Sequence, residues 1–457
     1  MNGSMRIDRA ARHPAVPRHA GSSRRRFLRA TAVVMSAGGG AVLAACGAVS
    51  QPAAESTFRG SGPTVTITYL QRPKPPDRQA VLDTLLAEFF SEVPRIKVEV
   101  AVSSELHVVQ KALQLHLAGS TAEIVEWARD GHDLQEAITD LNPLMRRDRL
   151  SPSLFVGTAA EIMSYDGKFA GIPASIASDA LLYNPNALQE VGLRPPPVNP
   201  NDRSWTTEQF QEYAIKLTQR PDRFGWSGKL SSGFQWMDAA TYFGVGVWDD
   251  KTERLLVNTP EFRRGLQYWV DLRLRHRVVP DADESKQIGG VDSGKIAMDV
   301  PGQVPTKLQF TPGTATLPYS GPGRNVSARI SPGSVFAGPT KQLDAAWELL
   351  KWLLEPRRNA RHVRAFGHAV AGVSKAQELR RQDVLAETGI DPQAWILQAG
   401  HSRFVGWGLY KYPQTEIAAR NEIQPRYGDE LLTGKISVNE FCAFAEQQLK
   451  QAIAAGR

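Results

Sequence analysis

From Thr64 onward the apolar residues switch from a two-residue period to a helical one and back, and then repeat the cycle. Val65, Ile67 and Tyr69 alternate as a strand does, and beyond Asp77 the residues Val81, Leu82, Leu85, Leu86 and Phe89 stand at helical spacing. Ile96, Val98, Val100 and Val102 alternate again. Ser104 is placed to cap a helix through Leu106, Val109, Leu113 and Leu117, Gly119 closes it, and residues 122–127 read as a third strand. A β-α-β-α-β start of this kind leaves few architectures open. Strands joined by helical crossovers run parallel, and a parallel sheet needs helices over its faces, so the fold class is α/β.

The middle of the chain has a different texture. Tyr165-Asp166-Gly167-Lys168 is a turn with glycine at its third position, and residues 169–173 and 180–183 read as strands. Four prolines between residues 194 and 200 exclude a helix there. Thr206-Thr207-Glu208-Gln209 offers a capping-box start for a helix carrying Phe210, Tyr213, Ala214 and Leu217. Thr259-Pro260-Glu261 starts another, with Leu266, Trp269, Val270 and Leu274 behind it. Ile296, Met298 and Val300 alternate as a strand, and residues 343–354 make an apolar-faced helix that ends near Pro356.

Ahead of this pattern, the first 45 residues hold eight arginines against a single acid, Asp8, which accounts for the whole formal charge of +7 and leaves the remainder neutral. No basic stripe or clustered phosphate-binding face follows, so a nucleic-acid partner is rejected despite a pI near 9.3. Residues 23–29, with Arg24 and Arg25 at their centre, resemble the twin-arginine motif of bacterial export signals, and Leu43-Ala44-Ala45-Cys46-Gly47 looks like a lipobox. Residues 1–45 are therefore expected to be a cleaved signal peptide, Cys46 the lipidated first residue of the exported protein, and residues 46–62 a flexible tether. The apolar run 30–45 is too short and too rich in small residues to span about 30 Å of hydrocarbon. With Cys46 acylated, Cys442 has no partner and is expected to be buried and inert.

Enzyme signatures are not found. The sequence has no HExxH, no CxxC and no Gly-x-Ser-x-Gly elbow, and the nine histidines are scattered. His362 and His368 miss the i, i+4 pairing of a helical metal site. Gly428 to Gly434-Lys435 has the wrong glycine spacing for a phosphate loop, with Ile436 where Ser or Thr would hold magnesium. Asp249, Asp250 and Glu253 suit a polar hairpin tip better than a calcium loop. Neither a metal nor a cofactor is expected.

Several blocks, in their order, carry a resemblance. Pro94-Arg95-Ile96-Lys97-Val98-Glu99-Val100, the run Tyr165-Asp166-Gly167-Lys168-Phe169-Ala170-Gly171-Ile172-Pro173, Ala180-Leu181-Leu182-Tyr183-Asn184, Ser293-Gly294-Lys295-Ile296-Ala297-Met298, Asp344-Ala345-Ala346-Trp347-Glu348-Leu349-Leu350-Lys351 and Leu431-Leu432-Thr433-Gly434-Lys435 follow one another behind a lipoprotein-like signal. The chain thereby resembles the extracellular solute-binding proteins of carbohydrate ABC transporters. The resemblance implies a periplasmic-binding-protein-like fold, two α/β lobes joined by hinge strands with a ligand cleft between them. It places lobe 1 at residues 63–174 and 332–372 and lobe 2 at residues 175–331 and 373–457. It also implies a monomeric binding protein rather than an enzyme, which takes a carbohydrate, delivers it to ABC permease subunits and meets the membrane through its lipid anchor.

Two aromatic positions common among sugar binders are absent, since this chain has Leu70-Gln71-Arg72 after the first strand and Pro301-Gly302-Gln303 after Met298. The resemblance then points to Trp127, Trp236 and Trp248 as stacking faces, to Glu126 and Asp179 as acceptors for sugar hydroxyls, and to Gln303 and Ser334 as further ligand contacts. Two other readings stay open: an exported polysaccharide hydrolase working with paired carboxylates, and a cleft turned to a non-sugar ligand.

Overall fold

The computed structural model describes residue 58 and residues 60–455, apart from 104–107, 128–138, 157–158, 166, 170, 229–234, 242, 250–251, 321–330, 338–339 and 402–413. For Trp127 and residues 331–337 only the backbone is described. Arg24, Arg25 and Cys46, with the Ser104 cap and Asp250, lie outside the described residues. Those from 58 onward belong to one compact unit, 53–457.

The opening alternation folds as its periods demand. β1 (Val65–Gln71), α1 (Pro76–Glu92), β2 (Ile96–Val102), α2 (Val108–Leu117) and β3 (Ile124–Trp127) succeed one another. β1 runs parallel to β2, from Val65 opposite Ile96 to Gln71 opposite Val102, and parallel to β3 with Tyr69 opposite Ile124. Leu82, Leu85, Leu86 and Phe89 form the buried stripe of α1. Gly119 takes φ 75° just beyond α2, a left-handed conformation that glycine adopts without strain. A short hairpin, Ser164–Tyr165 against Lys168–Phe169, turns at Gly167 with φ 78°. β4 (Gly171–Ala177) then enters the same sheet.

From β4 the chain passes through residues 178–180 into β5 (Leu181–Tyr183), and then through α3 (Thr207–Leu217) and α4 (Pro260–Leu274) to β6 (Met298–Asp299) and β7 (Gly313–Ala315). These three strands form a separate antiparallel sheet in the order β6-β5-β7. Both helix starts carry a threonine cap: the Thr206 hydroxyl accepts from the Gln209 amide at 3.3 Å, the first half of the expected capping box, and the Thr259 hydroxyl accepts from the Phe262 amide at 3.3 Å behind Pro260. The polar stretch around Asp249 is a hairpin, Trp248–Asp249 against Arg254–Leu255, with Thr252 donating to the Asp249 carboxylate at 2.6 Å.

β8 (Ser331–Ala337) returns to the first sheet, followed by α5 (Leu343–Trp352), α6 (Pro356–Phe366), β9 (Val370–Ala371), α7 (Gln377–Thr388) and α8 (Gln393–His401). The completed order is β9-β4-β8-β3-β1-β2. Because β8 is antiparallel to both β3 and β4, strands β1 to β4 all point the same way and their carboxyl ends share one edge. The last stretch, residues 414–431 and α9 (Val438–Ala455), packs back on the second sheet.

Two hydrophobic cores result, and they are the two lobes. One gathers Ile67, Tyr69, Phe89, Ile172, Trp347 and Val363; the other gathers Trp205, Phe210, Trp226, Trp236, Phe262 and Phe441. The lobe boundaries differ from the expected ones in two places. β4 stays in the first sheet as far as Ala177 rather than leaving at residue 174. Residues 373–399, assigned to lobe 2, pack into the first core through Val373, Ala376, Val384, Ile390, Trp395 and Ala399. The reason is a pair of long-range ties: β9 joins the edge of β4, and the buried Asn359 amide donates to the Ala174 carbonyl while its oxygen accepts from the Val373 amide, both at 3.2 Å.

α8 and its lead-in lie against residues at two of the crossings between the lobes. Ser178 donates its hydroxyl to the Trp395 carbonyl at 2.8 Å, Thr314 donates to the Asp391 carbonyl at 2.9 Å, and Thr316 donates to Gln398 Oε1 at 2.9 Å. Cys442 is buried in the second core, where burial pushes its thiol up to about 12, so it stays protonated and unreactive.

Candidate functional site

In an open α/β sheet, the place where backbone ends and loops can surround a ligand is the edge at the strands' carboxyl ends. Polar side chains in this chain converge there, on the first lobe. Gln71 closes β1 with its side chain buried and donates to Gln79 Oε1 at 2.5 Å. Lys74 follows in the β1–α1 turn. Its ammonium donates to both oxygens of Glu126, near the end of β3, at 2.6 and 2.8 Å, and lies 4.8 Å from the Phe366 ring centroid. Both partners are enclosed, at 6% exposure for Lys74 and 1% for Glu126. On β4, Ser175 shares a 2.8 Å hydrogen bond with His368 Nδ1.

Burial sets the protonation of this cluster. It lowers the Lys74 pKa, against the opposing pull of Glu126, and with the Glu126 charge it holds the Tyr69 phenol well above its ordinary value. Neither Tyr69 Oη nor either nitrogen of His362 has a hydrogen-bond partner among the described residues. Burial first, and then the charge of Lys74, bring His362 down to about 3. Between that value and about 6.5 the unfolded chain takes up a proton the folded one refuses, so this contribution to stability is complete above pH 6.5 and is lost as pH falls toward 3. In urea unfolding at pH 7 and pH 4, His362→Leu should therefore show a pH loss smaller by a few kcal/mol than wild type. An equal loss in both would assign the acid sensitivity to other groups.

The expected site residues separate into three groups. Glu126, Trp127 and Ser334 come together: Ser334 on β8 stands opposite Trp127 and Val335 opposite Glu126, so all three sit at the carboxyl edge. Beyond their backbone, Trp127 and Ser334 lie outside the described residues. Asp179 is buried in the first crossing, beside Ser178, and Gln303 is exposed in the bend after β6. Trp236 and Trp248 lie in the second core instead.

Trp236 is a correction. Its indole has no exposed surface and packs against Phe262 and Phe441 at 6.4 and 6.0 Å between ring centroids, so it fills the interior rather than offering a face to a ligand. Trp248 is also largely covered and borders a cavity of about 530 Å3 between its hairpin and α9, with Glu253, Arg254, Glu446 and Lys450. The cluster members that sequence reasoning missed are Gln71, Lys74, Ser175 and His368. The available signal was the polar run Gln71-Arg72-Pro73-Lys74 directly after a buried strand, where the chain turns at the sheet edge.

The chain thus has two lobes, with a polar edge on the mixed sheet of the first. The family model of the bacterial extracellular solute-binding proteins matches residues 73–360. The chain belongs to that family. Among curated solute-binding relatives, the maltotriose-binding protein of Pyrococcus abyssi is 23% identical over 307 residues, 64% of this chain and 62% of that protein. The chain spans about half to three-fifths of the length of the curated relatives it matches. Among solved structures, the sugar-binding protein MalE from Xanthomonas citri superposes with a TM-score of 0.68 at 18% identity, covering 86% of this chain and 98% of that one. UgpB from Mycobacterium tuberculosis, solved in complex with glycerophosphocholine, superposes with a TM-score of 0.66 at 16% identity, covering 87% and 99%. At these identities the likeness to solved structures establishes the two-lobed solute-binding fold. Members of the family are extracellular binding proteins. Among the described residues no helix is long and apolar enough to cross a membrane, and no group of three or more His, Cys, Asp or Glu side chains could hold a metal ion.

Proposed function

We propose that this chain is the extracytoplasmic receptor of an ABC transporter, that it captures a carbohydrate between its lobes, and that it passes the ligand to permease subunits. The observation that carries this reading is the family match over residues 73–360, which ends inside α6 and so takes in most of both sheets. The edge cluster supports it. Lys74 has three donors and the Glu126 carboxylate about four acceptor sites, so a bidentate pair leaves capacity for hydroxyl groups on both sides. Closing a second lobe over such an edge strengthens every hydrogen bond by excluding water. This reading also assigns Asp179, buried next to Ser178 in the first crossing, to the ligand set.

Saturable binding of an oligosaccharide that is recovered unchanged supports the receptor. Accumulating reducing ends would favour a hydrolase.

Export and anchoring complete the proposal. Arg24 and Arg25 direct the precursor through the twin-arginine route, and Cys46 carries the lipid that holds the protein, as a monomer, at the outer face of the cytoplasmic membrane or in the periplasm. Cys46→Ala should abolish incorporation of a fatty-acid analogue and release the protein from membranes. Label retained in the variant would refute the anchor.

A further inference from the structure

The edge of the first lobe holds more positive charge than the Lys74–Glu126 pair uses. Glu126 is enclosed, and Lys74 reaches both of its oxygens at 2.6 and 2.8 Å, so this carboxylate is neutralised where it sits. Arg72, just past the end of β1, stands over the same carboxylate with Nε 4.0 Å from Oε1, beyond hydrogen-bond distance, and its side chain is 42% exposed. Among the described residues its guanidinium meets a carboxylate only at this longer distance. Arg78, in the first turn of α1, adds to the field: after burial and the pull of Glu126, the charges of Arg72 and Arg78 both press on the Lys74 ammonium. His362 adds no further positive charge, because it is neutral above about pH 3. Two cations, Lys74 and Arg72, thus stand at one carboxylate among the described residues here, at an edge that a second lobe can close.

A hydroxyl of a neutral sugar can accept from an arginine, but it takes a single N–H bond and leaves the positive charge unmatched. A planar guanidinium with parallel N–H donors matches an oxyanion, and such charge-assisted pairs are the strong polar contacts when water is excluded. Resting on the receptor reading above, we infer that the transported solute is a saccharide or polyol bearing an oxyanion, a carboxylate or a phosphate, and that Arg72 is the residue that selects it. Lys74 stays with Glu126 and holds the hydroxyl-binding part of the edge in place.

Calorimetric titration of the exported protein with matched probes tests this. Glucose is compared with glucuronate and with glucose 6-phosphate, and glycerol with glycerol 3-phosphate. At low salt at least one anionic probe should bind tenfold or more tighter than its neutral parent, a preference that shrinks at high salt as the charges are screened. Arg72→Gln should cut the preference to about threefold or less, and Arg72→Lys should retain part of it, with thermal unfolding showing both variants folded. Carboxylate and phosphate probes reveal which oxyanion is preferred. If the neutral parents bind as well as the anions, or if Arg72→Gln keeps the full preference, the inference is overturned while the receptor reading stands. If no anionic probe binds and saccharides are cleaved instead, both fall.

Discussion

Lys74→Met should destabilise the folded protein by about 3–5 kcal/mol near neutral pH, the usual cost of leaving one member of an enclosed ion pair without its partner. Glu126 is 1% exposed, so bulk water is a poor substitute for the ammonium that both its oxygens now receive. Removing both charges together behaves differently. Lys74→Met with Glu126→Leu should recover most of the lost stability, because an apolar pair of similar volume costs little where a half-pair costs much. The double variant also separates scaffold from site. If the pair serves the ligand, this folded protein loses solute binding by tenfold or more in calorimetry; if the pair only supports the lobe, binding survives.

Trp236→Ala carries the second large effect, a loss of about 3–5 kcal/mol of folding stability, as expected when a fully enclosed aromatic is cut back and its cavity cannot collapse. The ring packs against Phe262 and Phe441 in the second core, and none of its surface is exposed. Its Nε1 has no partner among the described residues, so Trp236→Phe forfeits no hydrogen bond there and should cost well under the Ala change. Urea unfolding measures both, and solute affinity in the folded fraction should stay within about twofold of wild type. A stable Trp236→Ala protein with weakened binding would put this indole back at the ligand.

What could be read from the sequence is what local physics decides. The alternation in Val65, Ile67 and Tyr69 and the stripe Leu82, Leu85, Leu86 and Phe89 encode period directly, and Thr206 and Thr259 announce their helices because a cap is satisfied within three residues. Contacts across the chain left no such trace. Lys74 and Glu126 are 52 positions apart, and nothing near either residue says that two strand ends will bring them together. Residues 373–399 follow the second lobe's pattern of short helices and loops, yet Asn359 and β9 bind them to the first. Trp347 sits in the apolar-faced helix 343–354 and reads as core, which it is, with its indole N–H donating to Asp148 at 2.6 Å; Trp236 has no such pattern around it, and its packing against Phe262 and Phe441 shows only in the structure.

The most direct test of the receptor is a thermal-shift screen of the exported protein against neutral and acidic mono- and oligosaccharides. A solute bound only by the folded state raises the melting temperature with concentration, by several degrees once the ligand exceeds its dissociation constant about a hundredfold. The expected result is at least one saccharide that gives such a saturable shift and is recovered intact. No shift with any saccharide at millimolar concentration, or steady release of reducing ends during incubation, would contradict it.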